Sequence, residues 1–281
     1  MLQQAVIEGH AGDRDAEAAM AAWLLGVCLS ASGRWGSALT VLQALLVDPA
    51  ADAGTDGVAA EQRLVASLAA STTASVHRQI GRHDVARAYD EQALTWAAGS
   101  DEAAFDAYVG LASDSVGAGD VDAAIEAFEA AQALTRGRSD WWRQLVRLDW
   151  AAAEIGLLTG DADEATMRAS AAVARAEASG APRHVAKSLL FLGVALLERG
   201  DIADATATLR RAASLAESLG TLPVVWPAQA LLGALTLATE PEPASAAMAG
   251  ARAAIESIAH DLPDDLRRSW LARDDVAALN S

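Results

Sequence analysis

The stretch Gly200–Ala205, which reads GDIADA, decides the fold because its pattern returns along the chain. A Gly followed by Arg or Asp, with Ala five residues after the Gly, occurs five times in all. The glycines lie at positions 33, 81, 119, 160 and 200, so they are 48, 38, 41 and 40 residues apart. A small, polar insertion, AADAGTDG at 50–57, accounts for the long first interval. The sequence therefore predicts an array of repeats with a period near 40 residues.

Each of these glycines is predicted to end one helix, since a tight turn between antiparallel helices favours a residue that accepts positive φ. The following Ala then lies where the two helices cross. Seven residues before each glycine stands a second small residue that lets the paired backbones approach: Gly26, Ala74, Ala112, Ala153 and Gly193. A sixth unit fits the same frame, with Gly233 and a turn near Glu240, although Pro241 and Pro243 replace the turn glycine.

The repeats predict an all-α chain in which A and B helices alternate. The expected helix pairs are 14–32 with 34–48, 57–80 with 82–98, 101–118 with 120–135, 140–159 with 161–179, 182–199 with 201–219, and 222–238 with 243–260. We expect one solenoid over residues 1–281, with six helix pairs in 13–260 and a C-terminal cap in 261–281. Residues 1–12 are either a short helical cap or the end of a B helix whose A helix is missing. In the second case, the chain is a piece of a longer protein or another subunit covers this end.

Composition excludes several classes of function. The chain has 281 residues, a net charge of −17 and 52% hydrophobic residues, of which few are aromatic. Such a charge repels phosphate backbones and anionic membrane surfaces, so we expect no direct nucleic-acid or membrane binding. The one cysteine, Cys28, cannot form an internal disulfide, and the sequence has neither an export signal nor a long apolar run. A cytoplasmic location is the expectation.

Helix pairs with this small, small, Gly-turn, Ala spacing resemble tetratricopeptide repeats, and the resemblance covers nearly the whole chain. It implies a right-handed superhelix of about six antiparallel helix pairs plus a C-terminal capping helix. The ordinary repeat has a period of 34, so the present period is similar to a longer-helix variant. That variant occurs in the C-terminal arms of large bacterial signal-transduction ATPases and transcription regulators. The ending Ile258–Leu279 resembles the terminal helix of such arms in actinobacterial proteins.

Motifs of catalysis are missing from the sequence. It contains no phosphate-binding loop, no nucleophile elbow and no zinc-binding HExxH helix. The five histidines are dispersed. His77 and His83 could meet across the turn at Gly81, but surface or helix-end roles are the simpler interpretation. Cys28 is interpreted as a small buried hydrophobe. We therefore expect neither an enzyme nor a bound metal or cofactor.

The resemblance implies that the A helices line a concave groove and that their inward side chains contact a partner. Carried onto this sequence, the implied partner-binding residues are Met20, Trp23, Val27, Arg78, Asp106, Val109, Arg147, Trp150, Glu154, Lys187, Leu190 and Val194. Trp and Arg dominate binding energies at many interfaces. The alternative for Trp23 and Trp150 is that they fill space between adjacent A helices. Trp96, Trp141, Trp142, Trp226 and Trp270 are interpreted as core or cap residues.

The function expected from these observations is a protein-interaction scaffold or regulatory arm that binds a peptide or helix in its groove. Because the groove mixes tryptophans with cations on an acidic chain, an acidic and hydrophobic segment is the expected ligand. Two alternatives stay open. One is an effector-binding sensor domain of a larger transcription regulator, with a compact pocket lined by Trp23, Arg78, Arg147 and Trp150. The other is a self-association module, in which a second copy binds at the incomplete N-terminal end. Other domains of a longer chain are further possible partners.

Overall fold

The computed structural model describes residues 14–46, 56–97 and 99–280, which form fourteen α-helices and no β-strand. The first twelve helices form six consecutive pairs, each with an A and a B helix. These pairs are α1 (Arg14–Ala31) with α2 (Trp35–Gln43), α3 (Asp56–Ile80) with α4 (His83–Trp96), α5 (Asp101–Ala118) with α6 (Val121–Leu134), α7 (Trp142–Thr159) with α8 (Ala162–Ala178), α9 (Pro182–Arg199) with α10 (Ile202–Leu219), and α11 (Leu222–Thr236) with α12 (Pro241–Asp261). The predicted all-α, tetratricopeptide-like repeat fold is confirmed.

The C-terminal cap consists of two short helices, α13 (Asp264–Leu271) and α14 (Asp274–Asn280), where the sequence predicted one capping helix. Pro263, in an extended conformation, separates α13 from α12, and the break between α13 and α14 falls at Ala272 and Arg273. Residues 1–12, on which two interpretations were left open, lie outside the described residues, as does most of the insertion at 50–57.

The five predicted turn glycines all lie between the helices of a pair. They have positive φ, from 73° to 91°: Gly33, Gly81, Gly119, Gly160 and Gly200. The residue after the glycine contributes as well. Asp161, for example, is the N-cap of α8 and accepts a 3.0 Å hydrogen bond from the backbone N–H of Glu164. The Gly-Asp pair therefore ends one helix and begins the next.

The small residues upstream of the turns allow close packing within each pair. A Cβ on Gly26 would lie 2.6 Å from the Leu42 side chain, and a Cβ on Gly193 would lie 2.6 Å from Leu209. Both distances are too short for a real contact, so each glycine makes room for a large side chain of its partner helix. The matching alanines Ala74, Ala112 and Ala153 are fully buried.

The array also returns on itself, which the sequence did not predict. The B helix of the first pair, α2, contacts the B helix of the last pair, α12, and α13 contacts α3. We call this contact region the seam. The ring of Trp270 meets that of Trp35 edge to face at 5.0 Å and that of Trp226 at 5.6 Å. One hydrophobic core therefore contains side chains from both ends of the array.

Two further expectations need correction. Cys28 is exposed, not buried, because it lies on a side of α1 that no other described helix covers. Trp142, expected in the core or cap, keeps 37% of its surface exposed, whereas Trp226 and Trp270 are buried as expected. Trp35, for which the sequence predicted no role, is almost completely buried at the seam. Among the described helices, none combines the length and apolar character needed to cross a bilayer.

Candidate functional site

The A helices contact one another in chain order, from α1 through α3, α5, α7 and α9 to α11. We call the surface formed by their side chains the inner face. The predicted site residues are distributed over five of these helices, and the structure gives them three different roles. Some fill space between helices, some form ion pairs with a neighbouring helix, and one group on α7 and α9 leaves a cation and aromatic rings available.

The first group acts in packing. Trp23 on α1 donates a 3.0 Å hydrogen bond from Nε1 to Thr72 on α3, and both Trp23 and Met20 pack against Leu68 and its neighbours. Trp23 therefore fills the space between adjacent A helices, which was the alternative interpretation of this residue. Val109 is buried in the core between α5 and α7. Val27 and Val194 are half-buried, and Leu190 packs partly against the core.

The second group contains paired charges. Arg78 on α3 donates from Nε to Asp114 at 2.7 Å and from Nη2 to Asp90 at 2.5 Å. Both aspartates are almost completely buried. Burial raises the pKa of Asp90 well above its usual range, and the neighbouring Arg78 opposes that shift. The guanidinium of Arg78 thus joins α3, α4 and α5 through a buried network and is already neutralised.

Arg147 on α7 is paired in the same way, since its Nη1 donates to the carboxylate of Asp106 on α5. One turn earlier, Arg143 donates a 2.8 Å hydrogen bond to Glu102. Glu154, at the other end of α7, accepts a 2.7 Å hydrogen bond from the hydroxyl of Ser113. Side chains of alternating charge therefore hold α5 against α7. The positive charges predicted for the inner face are mostly neutralised by these ion pairs.

Lys187 on α9 differs from these arginines. It is the only lysine in the chain, and no carboxylate of a described residue lies within ion-pair distance of its Nζ. Its Nζ lies 4.5 Å from the ring centroid of Trp150 and 5.7 Å from that of Phe191. The side chain is exposed, yet the surrounding helices displace much of the bulk water. This desolvation lowers the pKa of Lys187 to about 8; Glu154 opposes the shift, while Arg147 and Arg78 add to it.

The rings beside this amine contact further aromatic side chains. The indole of Trp150 is stacked against the imidazole of His184 on one side, at 5.6 Å, and against Phe191, at 6.0 Å. Its Nε1 donates a 2.8 Å hydrogen bond to Ser188, which holds the ring in place. Trp142 meets His184 edge to face at 5.2 Å. Burial and nearby cations, Arg183 first among them, lower the pKa of His184 to about 4, so this imidazole is neutral at pH 7.

We call the set Trp142, Trp150, His184, Lys187 and Phe191 the aromatic–lysine cluster. Trp150 and Lys187 are among the predicted partner-binding residues, whereas the other three are not. A spacing signal was present, since His184, Lys187 and Phe191 are spaced three and four residues apart on one helix and therefore share a face. The four side chains of the alternative effector pocket, Trp23, Arg78, Arg147 and Trp150, each have a hydrogen-bond partner inside the protein, and the pocket stays an alternative. Among the described residues, no group of three or more His, Cys, Asp or Glu side chains is arranged to hold a metal ion.

Fold and inner face together define a helical-repeat solenoid of the tetratricopeptide-like class. The solved structures that are similar to this chain include the following three. BtubC (BKLC) from P. vanneervenii has a TM-score of 0.55 and 16% identity over 84% of this chain and 91% of its own length. Aspartyl phosphate phosphatase F from Bacillus subtilis has a TM-score of 0.54 and 15% identity over 79% of this chain and 61% of its own. The apo form of RapI has a TM-score of 0.50 and 11% identity over 99% of this chain and 76% of its own.

These similarities concern the fold, because identities of this size carry no residue-level correspondence. No protein-family model and no curated protein sequence matches the chain.

Proposed function

We propose that this chain is a protein-interaction module that binds an acidic, partly hydrophobic peptide segment at the aromatic–lysine cluster. The observation that carries the proposal is the state of Lys187. Arg78 and Arg147 are neutralised by buried aspartates, but Lys187 has no carboxylate at ion-pair distance among the described residues. A charged amine in a partly desolvated place gains more from an incoming carboxylate than a surface amine does.

The aromatic rings beside Lys187 supply the second half of such a site. Trp150 is nine-tenths buried and rigidly held, while Phe191 and Trp142 keep part of their surface accessible. An apolar side chain of the ligand would contact Phe191 and Trp142, next to a carboxylate that meets Lys187. Rigid aromatic anchors lose little conformational entropy on binding, which makes them effective contact residues. The ligand class is therefore the one expected from the sequence, but its contacts centre on α7 and α9.

The seam constrains how such a ligand approaches. The contacts of α2 and α3 with α12 and α13 join the first and last repeats of the array. We propose that the ligand is a short peptide segment or the tip of a helix, which can approach the inner face without opening the seam. We place this module as a regulatory arm of a larger bacterial regulator, by its resemblance to such arms. An effector-binding sensor and a self-association module are the alternatives.

Binding without catalysis is part of the proposal. One similar structure carries the name of an aspartyl phosphate phosphatase, so hydrolysis of acyl phosphates is the activity to test. The carboxylates of Asp106 and Asp114 are held by arginines, which leaves them poorly placed as catalytic bases. We expect the pure protein to release no phosphate from acetyl phosphate above the rate in buffer. Measurable release that depends on an inner-face residue would replace the binding proposal by an enzymatic one.

The binding test uses a phage-displayed library of random peptides selected on the full chain. We expect enrichment of peptides in which Asp or Glu stands beside an aliphatic or aromatic residue. A synthetic version of an enriched peptide should lose about tenfold in affinity for Lys187→Gln, as for other hydrogen bonds to charged groups. Arg136→Gln removes an exposed cation outside the inner face and serves as the control.

The single lysine permits a direct readout in the same experiment. Reductive methylation with ¹³C-formaldehyde labels Lys187 and the α-amino group, and the Lys187→Gln variant identifies which NMR signal belongs to the lysine. A bound carboxylate should raise the pKa of the Lys187 amine above about 8. Peptides that bind without moving this signal, or no enrichment at all, would contradict the proposed site.

A further inference from the structure

A cleft of about 730 Å³ lies at the seam, away from the inner-face residues discussed above. Its walls come from both ends of the array: α2, the last turn of α3 and the start of α4 on one side, and the α12–α13 corner on the other. None of the predicted partner-binding residues lines it. The volume lies within the range of cavities that hold small organic ligands.

His77, in the last turn of α3, is a residue of this cleft with a buried side-chain atom that lacks a hydrogen-bond partner. Its side chain is more than nine-tenths buried, it lines the cleft, and its Nδ1 has no hydrogen-bond partner. Burial, together with the charge of Arg82, lowers the pKa of His77 to about 4, so the ring is neutral at pH 7 and retains a lone pair. Buried polar side chains nearly always have a partner in the functional state. A ligand with an N–H donor would satisfy the imidazole.

The charges around the cleft favour a cation. Asp261 and Asp265 line it, and each has an arginine at 3.9 Å, Arg34 and Arg82 respectively, of which only Arg82 belongs to the lining. An adjoining hollow of about 390 Å³ shares Val85 and Tyr89 with the cleft and adds the carboxylate of Asp84. Acidic groups therefore outnumber basic ones along the whole recess.

The other walls mix polar side chains, Ser37, Thr40 and Gln43, with aromatic and apolar ones. Tyr89 stacks on His77 with a ring-centroid distance of 5.5 Å and an angle of 11°, and both rings line the cleft. The apolar part of the lining consists of Leu39, Val85, Leu262, Pro263 and Leu266. A flat or compact hydrocarbon body can lie against these side chains, while an ammonium group gains from nearby carboxylates and from the tyrosine ring.

We propose that the seam cleft is a binding site for a small organic amine with an aromatic or alicyclic body. Its ammonium group donates to Asp265 and to His77, and its body packs against Tyr89 and Leu266. Because the walls belong to opposite ends of the array, a bound amine stabilises the closed arrangement over any form in which the seam opens. The site is independent of the aromatic–lysine cluster, so either proposal can fail alone.

The experiment uses 2-phenylethylamine as the probe, with 3-phenylpropionate as a probe of similar shape and opposite charge. Affinity is measured by calorimetry, and seam stabilisation by the thermal midpoint of unfolding. We expect the amine to bind the wild-type chain and raise its midpoint, whereas the carboxylate does neither. Asp265→Asn changes an exposed side chain and should weaken amine binding about fivefold.

Two further variants separate the site from a general charge effect. Asp264→Asn removes the neighbouring carboxylate, which is exposed and does not line the cleft, and should leave affinity unchanged. His77→Phe keeps the stack on Tyr89 but removes the ring nitrogens, and should weaken binding as Asp265→Asn does. The proposal is overturned by absence of amine binding at millimolar concentration, by equal binding of the carboxylate, or by equal losses in Asp264→Asn and Asp265→Asn.

Discussion

Asp261, the last residue of α12, accepts hydrogen bonds from the backbone N–H of Ser37 at 2.9 Å and from its hydroxyl at 2.6 Å, across 224 residues of sequence. Ser37 lies in the first turn of α2, and the local N-cap residue, Arg34, makes no side-chain capping bond. The carboxylate from the end of the array therefore caps the second helix of the array. A negative charge at this position is also favoured by the helix dipole.

Removing this cap should weaken both the helix and the seam. We expect Asp261→Ala to lower the free energy of unfolding by about 1 kcal/mol, the usual cost of losing an N-cap. Denaturant titration measures the change, with Glu129→Ala as the control because Glu129 is exposed in the middle of α6. If the two variants are equally stable, the contact between Ser37 and Asp261 contributes nothing to the fold.

Gly36 tests how closely the two ends approach. A Cβ at this position would lie 2.0 Å from the carbonyl oxygen of Asp261, a backbone atom that cannot move aside alone. Gly36→Ala should therefore destabilise the chain by about 1–3 kcal/mol through overpacking. Hydrogen exchange should accelerate in α12 and α13. Thr40→Ala, one turn further along α2 and exposed, is the control, and equal exchange in both variants would mean that the ends are not in contact.

Arg78 is expected to matter for stability more than for binding. Its removal in Arg78→Met leaves Asp114 and Asp90 buried without a cation, which should cost about 3 kcal/mol or more. The double variant Arg78→Met with Asp114→Leu removes one orphaned carboxylate and should recover part of that loss. Thermal or chemical unfolding measures both. A single variant as stable as the wild type would show that the buried network is not required.

Stability should fall on mild acidification because of His77 and His184. Burial lowers both pKa values from 6.5 to about 4, so the unfolded chain binds more protons than the folded chain between these values. The free energy of unfolding must then decrease as the pH falls from 6.5 towards 4. His184→Gln should flatten this dependence, whereas the exposed His260→Gln should not. Burial raises the pKa of Asp90, so this group makes the free energy of unfolding increase as the pH falls. Each variant is therefore compared with the wild type at every pH.

Lys187 should lower the stability of the fold at neutral pH. Desolvation lowers the pKa of its amine to about 8 from 10.5, so the charged form is less favourable in the folded chain than in the unfolded one. The free energy of unfolding should therefore rise between pH 8 and 10.5, and Lys187→Met should be more stable than the wild type at pH 7. Unfolding curves at the two pH values test this. A destabilised Lys187→Met would indicate that the amine is needed for packing.

The sequence alone determined the helices and their pairing. The Gly-Asp turns and the small residues seven positions upstream are local signals, because they set backbone conformation and the separation of neighbouring helices. Gly160, for example, stands between two amphipathic segments, where the sequence predicted a tight turn, and it has the positive φ that such a turn needs. Trp150 and Lys187 could be placed on A helices for the same reason, since helical periodicity assigns faces once the register is known.

Only the tertiary structure decided what those faces do. Whether Arg78 and Arg147 were free or neutralised depended on carboxylates of other helices, whose distance is set by helix packing and not by spacing in the sequence. The contact between the two ends of the array could not be predicted from the sequence either. It results from a small twist at each repeat, which accumulates over six pairs before α12 meets α2. The contact of Asp261 with Ser37, and the cleft beside it, exist because that accumulated geometry brings the two ends together.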